Sequence, residues 1–370
     1  MKFRGCSMPS EKSVLLVRSD LNLAGPAILI HATALALRDT GWSVELATGG
    51  GALVERFETD GFVHHTVPGL ARADRGPAAI VSGILDLRGI AGRGRTQVIH
   101  SFNAQAGFVA WLAVVGLKAK VINTVLGAGK ERVLPWMPFD FIAVSGFVRR
   151  ALVDAGVAPH RINVIYNALL SENQVFDDGQ FVAAWAAREP THAFRVVSVA
   201  MMNGDKGHQA VLEALTYIRR KDPSTPIRVE FVGDGARRPQ LEQFAADNGL
   251  TDLVSFAGAA ADVYPYLDRA HAMIHLSRQE TFGMVLAEAQ ARGLPVVAYA
   301  IGGIPEVVVD GAAGILVPDG DVAAAAESMM ALAADRNWAQ SMGRAGLERC
   351  RDTFMQWHLA ENLEAAYRQS

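Results

Sequence analysis

The chain has little cysteine and no dinucleotide fingerprint. Its 370 residues include two cysteines, Cys6 and Cys350. Two cysteines so far apart do not form a disulfide framework and are typical of a protein from a reducing, cytosolic compartment. No Gly-x-Gly-x-x-Gly run follows the first apolar strand, which disfavours a nicotinamide-dependent dehydrogenase.

The net charge is small, and the chain has no long apolar run free of polar residues. The formal net charge is −3, which does not suggest a nucleic-acid binder. The longest uncharged stretch, Thr96 to Leu117, contains several amide and hydroxyl side chains, so we expect a buried strand and helix rather than a membrane span. Charges at Glu11, Lys12 and Arg18 interrupt the early chain, which argues against a signal peptide. We therefore expect a cytoplasmic protein.

Positive charge is concentrated in the first half of the chain. Residues 1–170 hold 18 Lys and Arg against 12 Asp and Glu, whereas residues 171–370 hold 17 against 26. A basic first half suits an anionic acceptor or an anionic membrane surface. An accidental distribution over solvated faces is the alternative. Metal binding is not expected, because His64-His65 has no partner at metal-ligand spacing.

Length and periodicity predict two α/β domains. A chain of 370 residues usually forms more than one domain. Short apolar runs such as Val14–Val17 and Val44–Ala47 alternate with helical patterns, and the same alternation restarts at Arg195–Ala200. Such alternation is typical of Rossmann-like parallel sheets, in which ligands bind beyond the carboxyl ends of the strands.

The segment 277–321 carries the clearest chemical signal. Glu280 lies at the mouth of a helical pattern, and Glu288 follows eight residues later, little over two turns on, so we expect both carboxylates on a similar side. Free N–H groups at a helix start attract phosphate, and carboxylates bind hydroxyls. A nucleotide sugar, with a diphosphate between two polyols, fits this arrangement. Alternatively, Glu280 only caps the helix and Glu288 is a solvated charge.

The residues around these two carboxylates resemble a known family. Ser277 precedes the pair, Phe282-Gly283 lies inside it, and Gly302-Gly303-x-x-Glu306 follows. This pattern resembles the donor-binding segment of the retaining glycosyltransferases with the GT-B fold (glycosyl transferases group 1). The resemblance extends more weakly along nearly the whole chain.

The resemblance implies an α/β GT-B fold with two Rossmann-like parallel-sheet domains facing a central cleft. Residues 1–170 would form the acceptor domain, 171–190 a linker without a strong period, and 191–352 the nucleotide-sugar donor domain. Residues 353–370 would form a final helix that packs back on the first domain, with Trp357 and Tyr367 as packing residues.

The resemblance also assigns roles in the donor domain. Glu280 would hold sugar hydroxyls, and Glu288 would hold the ribose. Lys206, followed by Gly207 after a strand, resembles the family's phosphate lysine and would bind the diphosphate with the backbone N–H groups of Phe282 and Gly283. A fixed cation there would stabilise the negative charge of the departing diphosphate.

Three further residues are assigned by position. Gly233, after the strand Ile227–Val232, resembles the family's loop beside the nucleotide base. Gly25 lies in a loop that touches the donor phosphate or the acceptor in the family. His100 ends a strand that resembles the family's strand near the acceptor cleft, and we expect it to be catalytic.

The sequence departs from the family pattern at two positions. Leu126 stands where members often place a histidine that contacts the donor sugar, and Met201 stands where they commonly have an arginine. At these positions the chain lacks a polar contact to the sugar and a cationic contact that the family has. Asp319-Gly320-Asp321 matches the Asp-x-Asp of metal-dependent transferases, but its place after the last strand favours a turn and helix cap, so no metal is assigned.

We therefore expect a metal-independent retaining hexosyltransferase without a cofactor. Its donor would be a UDP- or GDP-linked sugar, and its acceptor a glycan or a lipid-linked molecule in bacterial cell-surface polysaccharide, lipopolysaccharide or glycolipid synthesis. The basic first domain would contact the inner face of an anionic membrane peripherally. Two alternatives remain: a sugar-nucleotide epimerase on the same fold, and an inactive sugar-nucleotide-binding partner subunit.

Overall fold

The computed structural model describes residues 12–22, 25–94, 96–127, 131–188, 193–204 and 206–369, without the side chains of 131–133. The chain divides into two compact units, one of residues 1–169 with 356–370 and one of residues 170–355. Cys6, Arg95 and residues 128–130 lie outside the described part. No helix in that part is both long and apolar enough to cross a bilayer.

The first unit contains a seven-stranded parallel sheet in the order β3-β2-β1-β4-β5-β6-β7. The apolar run Val14–Val17 is buried, as expected for a central parallel strand. Strand order reverses between β1 and β4, so a topological switch point lies there. The strands are β1 Ser13–Arg18, β2 Ser43–Thr48, β3 Val63–Thr66, β4 Val98–Ser101, β5 Lys120–Val125, β6 Asp140–Ala143 and β7 Ile162–Val164.

Helices connect these strands. Asn103 and Ser145 cap the helices after β4 and β6, because their side chains accept the N–H of Ala106 and Val148, respectively. The helices are α1 Gly25–Asp39, α2 Val54–Thr59, α3 Pro77–Arg93, α4 Ala104–Val114 and α5 Gly146–Asp154, with short 3₁₀ turns at Glu131–Trp136 and Pro159–Arg161.

The second unit begins at Leu170. Residues 171–190, which we expected to be a linker without a strong period, belong to this unit and contain helix α6, Asp178–Arg188. The interpretation as a linker was wrong because Phe181 and Trp185 bury their rings. The indole of Trp185 donates to the carbonyl of Gly293 at 3.1 Å, which fixes α6 to the unit.

The second sheet has six parallel strands in the order β10-β9-β8-β11-β12-β13, with a switch point between β8 and β11. The strands are β8 Phe194–Val199, β9 Ile227–Val232, β10 Val254–Gly258, β11 Ala272–His275, β12 Val296–Tyr299 and β13 Gly314–Val317. The helices are α7 His208–Lys221, α8 Arg238–Asp247, α9 Tyr264–Arg269, α10 Met284–Ala291, α11 Ile304–Val307, α12 Val322–Ala334 and α13 Arg336–Thr353. The predicted α/β class with two Rossmann-like parallel-sheet domains is confirmed.

The last helix, α14 Gln356–Gln369, belongs to the first unit. It packs against α1 and adds Leu359, Leu363, Ala366 and Tyr367 to the core that contains β1. Glu364 of this helix accepts hydrogen bonds from Lys12 at 2.9 Å and from the indole of Trp42 at 2.8 Å. Trp357, expected to be a packing residue, is half exposed.

Candidate functional site

Lys206 and Glu280 meet beyond the carboxyl ends of the two strands at the second switch point. Lys206 follows β8, and Glu280 follows β11. Lys206 Nζ lies 3.3 Å from Glu280 Oε2 and 3.3 Å from the carbonyl oxygen of Gln279. The two side chains are 33 % and 18 % exposed, so the pair is open to a ligand. Ligands of open α/β sheets bind at this type of position.

A buried histidine lies beside the same carboxylate. His275 is the last residue of β11, is 2 % exposed, and places Nε2 3.5 Å from Glu280 Oε2. Within the described part of the chain, neither ring nitrogen has a closer hydrogen-bond partner. Burial opposes the ionisation of Glu280, but the interactions with His275 and Lys206 outweigh it, so the pKa of Glu280 is lowered.

Sequence reasoning missed His275. The residue ends a short apolar strand, and no neighbouring residue in the sequence indicates that it lies in a ligand-binding site. The available signal was its position, because the last residue of a central parallel strand lies at the ligand-binding edge of the sheet.

The backbone of Glu280 is supported by the glycine loop after β12. Gly303 donates its N–H to the carbonyl oxygen of Glu280 at 3.1 Å. Gly302 has a φ of 56°, and a Cβ on this residue would lie 1.8 Å from that same oxygen. Only glycine permits this approach, so the predicted Gly302-Gly303 loop sets the position of Glu280.

Helix α10 begins after Glu280, not at it. Met284 is its first residue, and Gly283 precedes it with a φ of 97°. The argument that eight residues on one helix bring Glu280 and Glu288 to the same side was therefore wrong, because only Glu288 is helical. The side chain of Phe282 is buried edge-on against Phe354, with ring centroids 5.7 Å apart.

Glu288 lies within α10 in a different environment from Glu280. Burial raises the pKa of Glu288 to about 7, and the negative charge of Asp262 adds to this rise. Burial also raises the pKa of the nearby Tyr264 hydroxyl, and the charge of Glu288 adds to that effect. Near neutral pH, Glu288 can therefore accept or donate a hydrogen bond to a ligand hydroxyl.

Gly233 joins the loops that follow β8 and β9. Its N–H donates to the carbonyl of Gly258 at 2.8 Å, and a Cβ on it would lie 1.9 Å from the carbonyl oxygen of Ala200. The N–H of Met202 donates to the carbonyl of Asp234 at 2.9 Å. The Gly233 loop is thus tied to the segment that leads to Lys206.

The structure corrects the role assigned to His100. This residue is 1 % exposed, with Nδ1 2.7 Å from the hydroxyl of Tyr367 and Nε2 2.6 Å from Thr124 Oγ1. Its ring stacks on Phe102, and burial lowers its pKa to about 3. Both nitrogens are engaged inside the core, so His100 is a packing residue and is not placed to touch a substrate.

Gly25 lies in the first unit. It is the exposed first residue of α1, whereas the sequence placed it in a loop before the helix. Leu126 packs against the core of the first unit, and Met201 is 65 % exposed. Neither of the latter two supplies the polar contact that the family pattern has at its position.

The Asp319-Gly320-Asp321 segment is a turn and helix cap, as predicted. Asp321 accepts the N–H of Ala324 at the start of α12, and Asp319 pairs with Arg278 at 2.9 Å. Among the residues that the structure describes, no three His, Cys, Asp or Glu side chains form a group suited to a metal ion.

Comparison with known proteins matches both units to glycosyltransferases. Residues 193–335 match the family model described as glycosyl transferases group 1, and residues 24–169 match that of glycosyltransferase family 4. The chain has a fold like that of HepE from Anabaena in complex with UDP and glucose, with a TM-score of 0.79, 18 % identity, and coverage of 96 % of this chain and 99 % of that one. Its two Rossmann-like domains form the GT-B fold.

Two curated relatives bear the same name, D-inositol 3-phosphate glycosyltransferase. The one from Corynebacterium kroppenstedtii is 36 % identical over 165 residues, which are 42 % of this chain and 36 % of the relative. The one from an Arthrobacter species is 26 % identical over 356 residues, which are 87 % of this chain and 84 % of the relative. The chain belongs to the glycosyl transferases group 1 family.

Proposed function

We propose that this protein is a retaining glycosyltransferase that moves a hexose from a UDP- or GDP-linked sugar to a polyol, glycan or lipid-linked acceptor. The observation that carries the proposal is the meeting of Lys206 and Glu280 at the switch point of the second sheet. HepE, which was solved with UDP and glucose, and the relatives named for an inositol phosphate support the choice of donor and a phosphorylated polyol as acceptor.

Lys206 supplies the positive charge in this proposal. A cation fixed beside the leaving diphosphate is stabilising because negative charge builds there in the transition state. We propose that the reaction needs no resident metal ion for this reason. Catalysis then depends mainly on positioning and on stabilisation of the leaving group.

Glu280 holds the transferred sugar. Its Oε2 faces Lys206 and His275, and Oε1 has no hydrogen-bond partner within the described residues. An ionised carboxylate oxygen accepts hydrogen bonds from hydroxyl groups strongly. Glu288 binds the ribose hydroxyls, and the Gly233 loop lies beside the base.

We also propose that the first unit contacts an anionic membrane peripherally. Val81 and Leu85 of α3 and Phe108 of the adjoining α4 are large apolar side chains exposed to solvent. Arg88 joins the two helices by donating to the carbonyls of Ala113 and Val115. Flotation with vesicles that contain phosphatidylglycerol tests this contact, and equal recovery with the native chain and Leu85→Glu would contradict it.

The test of the function compares Lys206→Met with Lys221→Met. Lys221 is an exposed lysine of α7 that pairs with Glu327, so its removal is the matched control. We expect Lys206→Met to lower kcat by about 10²–10³-fold, the cost of removing one transition-state contact, and Lys221→Met to leave kcat unchanged. Transfer from UDP- and GDP-sugars to D-inositol 3-phosphate is measured, and the anomeric configuration of the product is read by NMR.

The same assay separates the alternatives. Turnover of the donor to an epimer without acceptor would identify an epimerase. Donor binding without turnover on any acceptor would identify an inactive partner subunit, which the exposed Met201 in place of an arginine favours. Equal kcat for the two lysine variants would refute the assigned role of Lys206.

A further inference from the structure

A cavity of about 340 Å³ lies at the amino ends of the strands in the second unit. It is lined by the first residues of β8 and β9, by the residues around the start of β10, and by helix α9. Small-ligand sites commonly have volumes of about 300–1,000 Å³, so this cavity can hold a small molecule. Lys206 and Gly233 follow the opposite ends of β8 and β9, and a six-residue strand spans about 20 Å. The cavity is therefore separate from the candidate donor site.

The cavity exposes one face of β9, although this strand lies inside the sheet between β10 and β8. Ile227, Val229 and Phe231 are buried, whereas Arg228 is exposed and Glu230 is half-buried. Interior strands of a parallel sheet are usually apolar on both faces, because helices cover both. The alternation along β9 therefore shows that the described part of the protein leaves one face open, with charged side chains on it.

Two arginines lie side by side on this open face. Arg195 of β8 is the register partner of Arg228 of β9, and both line the cavity. Like charges at neighbouring positions of a sheet repel each other and are destabilising. An anion bound between the two guanidinium groups would remove this repulsion.

The carboxylates that line the cavity already have other partners. Glu230 accepts hydrogen bonds from Arg269 Nε at 3.1 Å and from Arg269 Nη2 at 2.8 Å. The two oxygens of Asp252 accept from Arg219 Nη2 at 2.7 and 2.6 Å. These pairs leave the positive charges of the two side-by-side arginines without a carboxylate of their own.

The guanidinium groups of Arg195 and Arg228 have donors available. Arg228 has no hydrogen-bond or ion-pair partner among the residues that the structure describes. Arg195 donates from Nε to the carbonyl of Arg269 at 2.6 Å, and its two Nη atoms have no partner in the same part of the chain. Burial, followed by the positive charges of Arg269 and Arg336, lowers the pKa of Arg195, and the charge of Glu230 does not offset them. The cavity is thus positively charged.

We propose that this cavity binds a small phosphate monoester, with the phosphate group held between Arg195 and Arg228. Guanidinium groups match phosphate oxygens with parallel, charge-assisted hydrogen bonds. A phosphate ion alone would not fill the cavity, and the half-buried Tyr266 on its wall leaves room beside its ring for the organic part of an ester. Free inorganic phosphate is the other source of the same chemistry, and the experiment distinguishes the two.

The experiment titrates the full chain with glycerol 3-phosphate or inorganic phosphate, at an ionic strength held constant with sodium chloride. The melting temperature rises with the logarithm of the ligand's excess over Kd, so each titration gives an affinity. The native chain, Arg228→Gln, Arg228→Lys and Lys206→Met are compared with the control Arg220→Gln, because Arg220 is an exposed arginine of α7.

Glycerol 3-phosphate should bind Arg228→Gln about tenfold or more weakly than the native chain, because a charge-assisted contact has been removed. Arg228→Lys should keep part of the affinity, since it retains the charge without the planar fork. Arg220→Gln and Lys206→Met should bind as the native chain does. Inorganic phosphate should bind the native chain more weakly than the ester.

A second measurement needs no ligand. In low salt, Arg228→Gln should melt about 1–3 °C higher than the native chain, because one of two adjacent like charges has been removed. High salt should reduce this difference by screening the repulsion. A variant that melts at or below the native temperature in low salt would contradict the repulsion on which the site rests.

An equal response of Arg228→Gln and the native chain to both ligands, or no response of the native chain, would overturn the site. A loss of affinity confined to Lys206→Met would place the phosphate at the donor site and would also overturn it. Equal affinity for the two ligands, lost in Arg228→Gln, would identify free phosphate and overturn the assignment to an ester. None of these measurements requires sugar transfer, so this site and the proposed function can fail separately.

Discussion

The Nε2 atom of His275 lies 3.5 Å from Oε2 of Glu280, and the Nζ atom of Lys206 lies 3.3 Å from the same oxygen. A lysine nitrogen and a histidine ring nitrogen therefore approach one carboxylate oxygen from beyond the ends of neighbouring strands β8 and β11. These two neighbours lower the pKa of Glu280, and its other oxygen is left for a substrate hydroxyl.

Replacing His275 should change the pH dependence of the reaction. Folding lowers the pKa of Glu280, so the stabilisation by its ionised form is present above its ordinary value of 4.5 and is lost as pH falls through the lowered value. In His275→Phe one favourable interaction disappears while burial remains, so the acidic limb of kcat/KM should move to higher pH. His275→Asn, which keeps a donor, should move it less.

His271→Asn is the control for this experiment. His271 is buried at the opposite end of β11, immediately before Ala272, where its Nδ1 accepts the N–H of Arg195. Its replacement should lower stability without moving the pH profile. A profile that shifts equally in both variants would show that His275 acts through general stability alone.

Gly302→Ala should displace Glu280. The new Cβ would lie 1.8 Å from the carbonyl oxygen of Glu280, so that backbone must move. Gly311→Ala is the matched control, because Gly311 also has a positive φ of 74° but a Cβ there meets nothing within 4 Å. The control should lose roughly 1–2 kcal/mol of stability from backbone strain and keep its kcat.

In Gly302→Ala we expect a larger loss of stability and a fall in kcat measured well below the melting temperature. Unfolding in urea and steady-state kinetics on both variants provide the comparison. Unchanged kcat in Gly302→Ala would mean that the position of Glu280 is not critical.

Glu288→Gln should stabilise the unliganded protein at alkaline pH. Burial raises the folded pKa of Glu288 to about 7, above its ordinary value of 4.5, so the folded state disfavours the charged form. The resulting destabilisation is absent below pH 4.5, grows between these two values and is complete above about pH 7. Removing the charge should therefore raise stability by on the order of 2 kcal/mol near pH 8 and leave it unchanged near pH 4.

Urea unfolding of the native chain, Glu288→Gln and Glu348→Gln across this range checks the prediction. Glu348 is an exposed glutamate of α13 and serves as the matched control. A constant difference between Glu288→Gln and the native chain at all pH values would contradict the burial of the charge.

Tyr367→Phe should reveal whether His100 is structural. The substitution removes the hydroxyl 2.7 Å from His100 Nδ1 and leaves a buried ring nitrogen unpaired. We expect a loss of about 1–3 kcal/mol in the free energy of unfolding, measured in urea. Below the melting temperature kcat should stay at the native value, and a selective loss of kcat without a loss of stability would restore a catalytic role for His100.

The local sequence predicted the strand–loop–helix order, and the family resemblance assigned Lys206 and Glu280 to one donor site. Reasoning from local sequence failed where the side chain that determines a residue's environment is distant in the sequence. From the sequence, His100 was expected to be catalytic. In the structure its Nδ1 pairs with the hydroxyl of Tyr367, which lies 267 positions away in the sequence. Glu280 and Glu288 looked alike, although Lys206 and His275 lower the pKa of the first, whereas burial and the charge of Asp262 raise the pKa of the second.

Residues 171–190 illustrate the same limit of local reasoning. Their apolar positions showed no strong period, yet Trp185 finds its hydrogen-bond acceptor at Gly293, 108 positions on.

Helix α14 makes the core of the first unit discontinuous along the chain. Leu359, Leu363, Ala366 and Tyr367 fill the core around β1, yet they are synthesised only after residues 170–355. Domains usually fold as they emerge, the N-terminal one first. Here residues 170–355 can close their core while the earlier unit still exposes part of its own, so the nascent chain must keep that apolar surface from aggregating until α14 has been made.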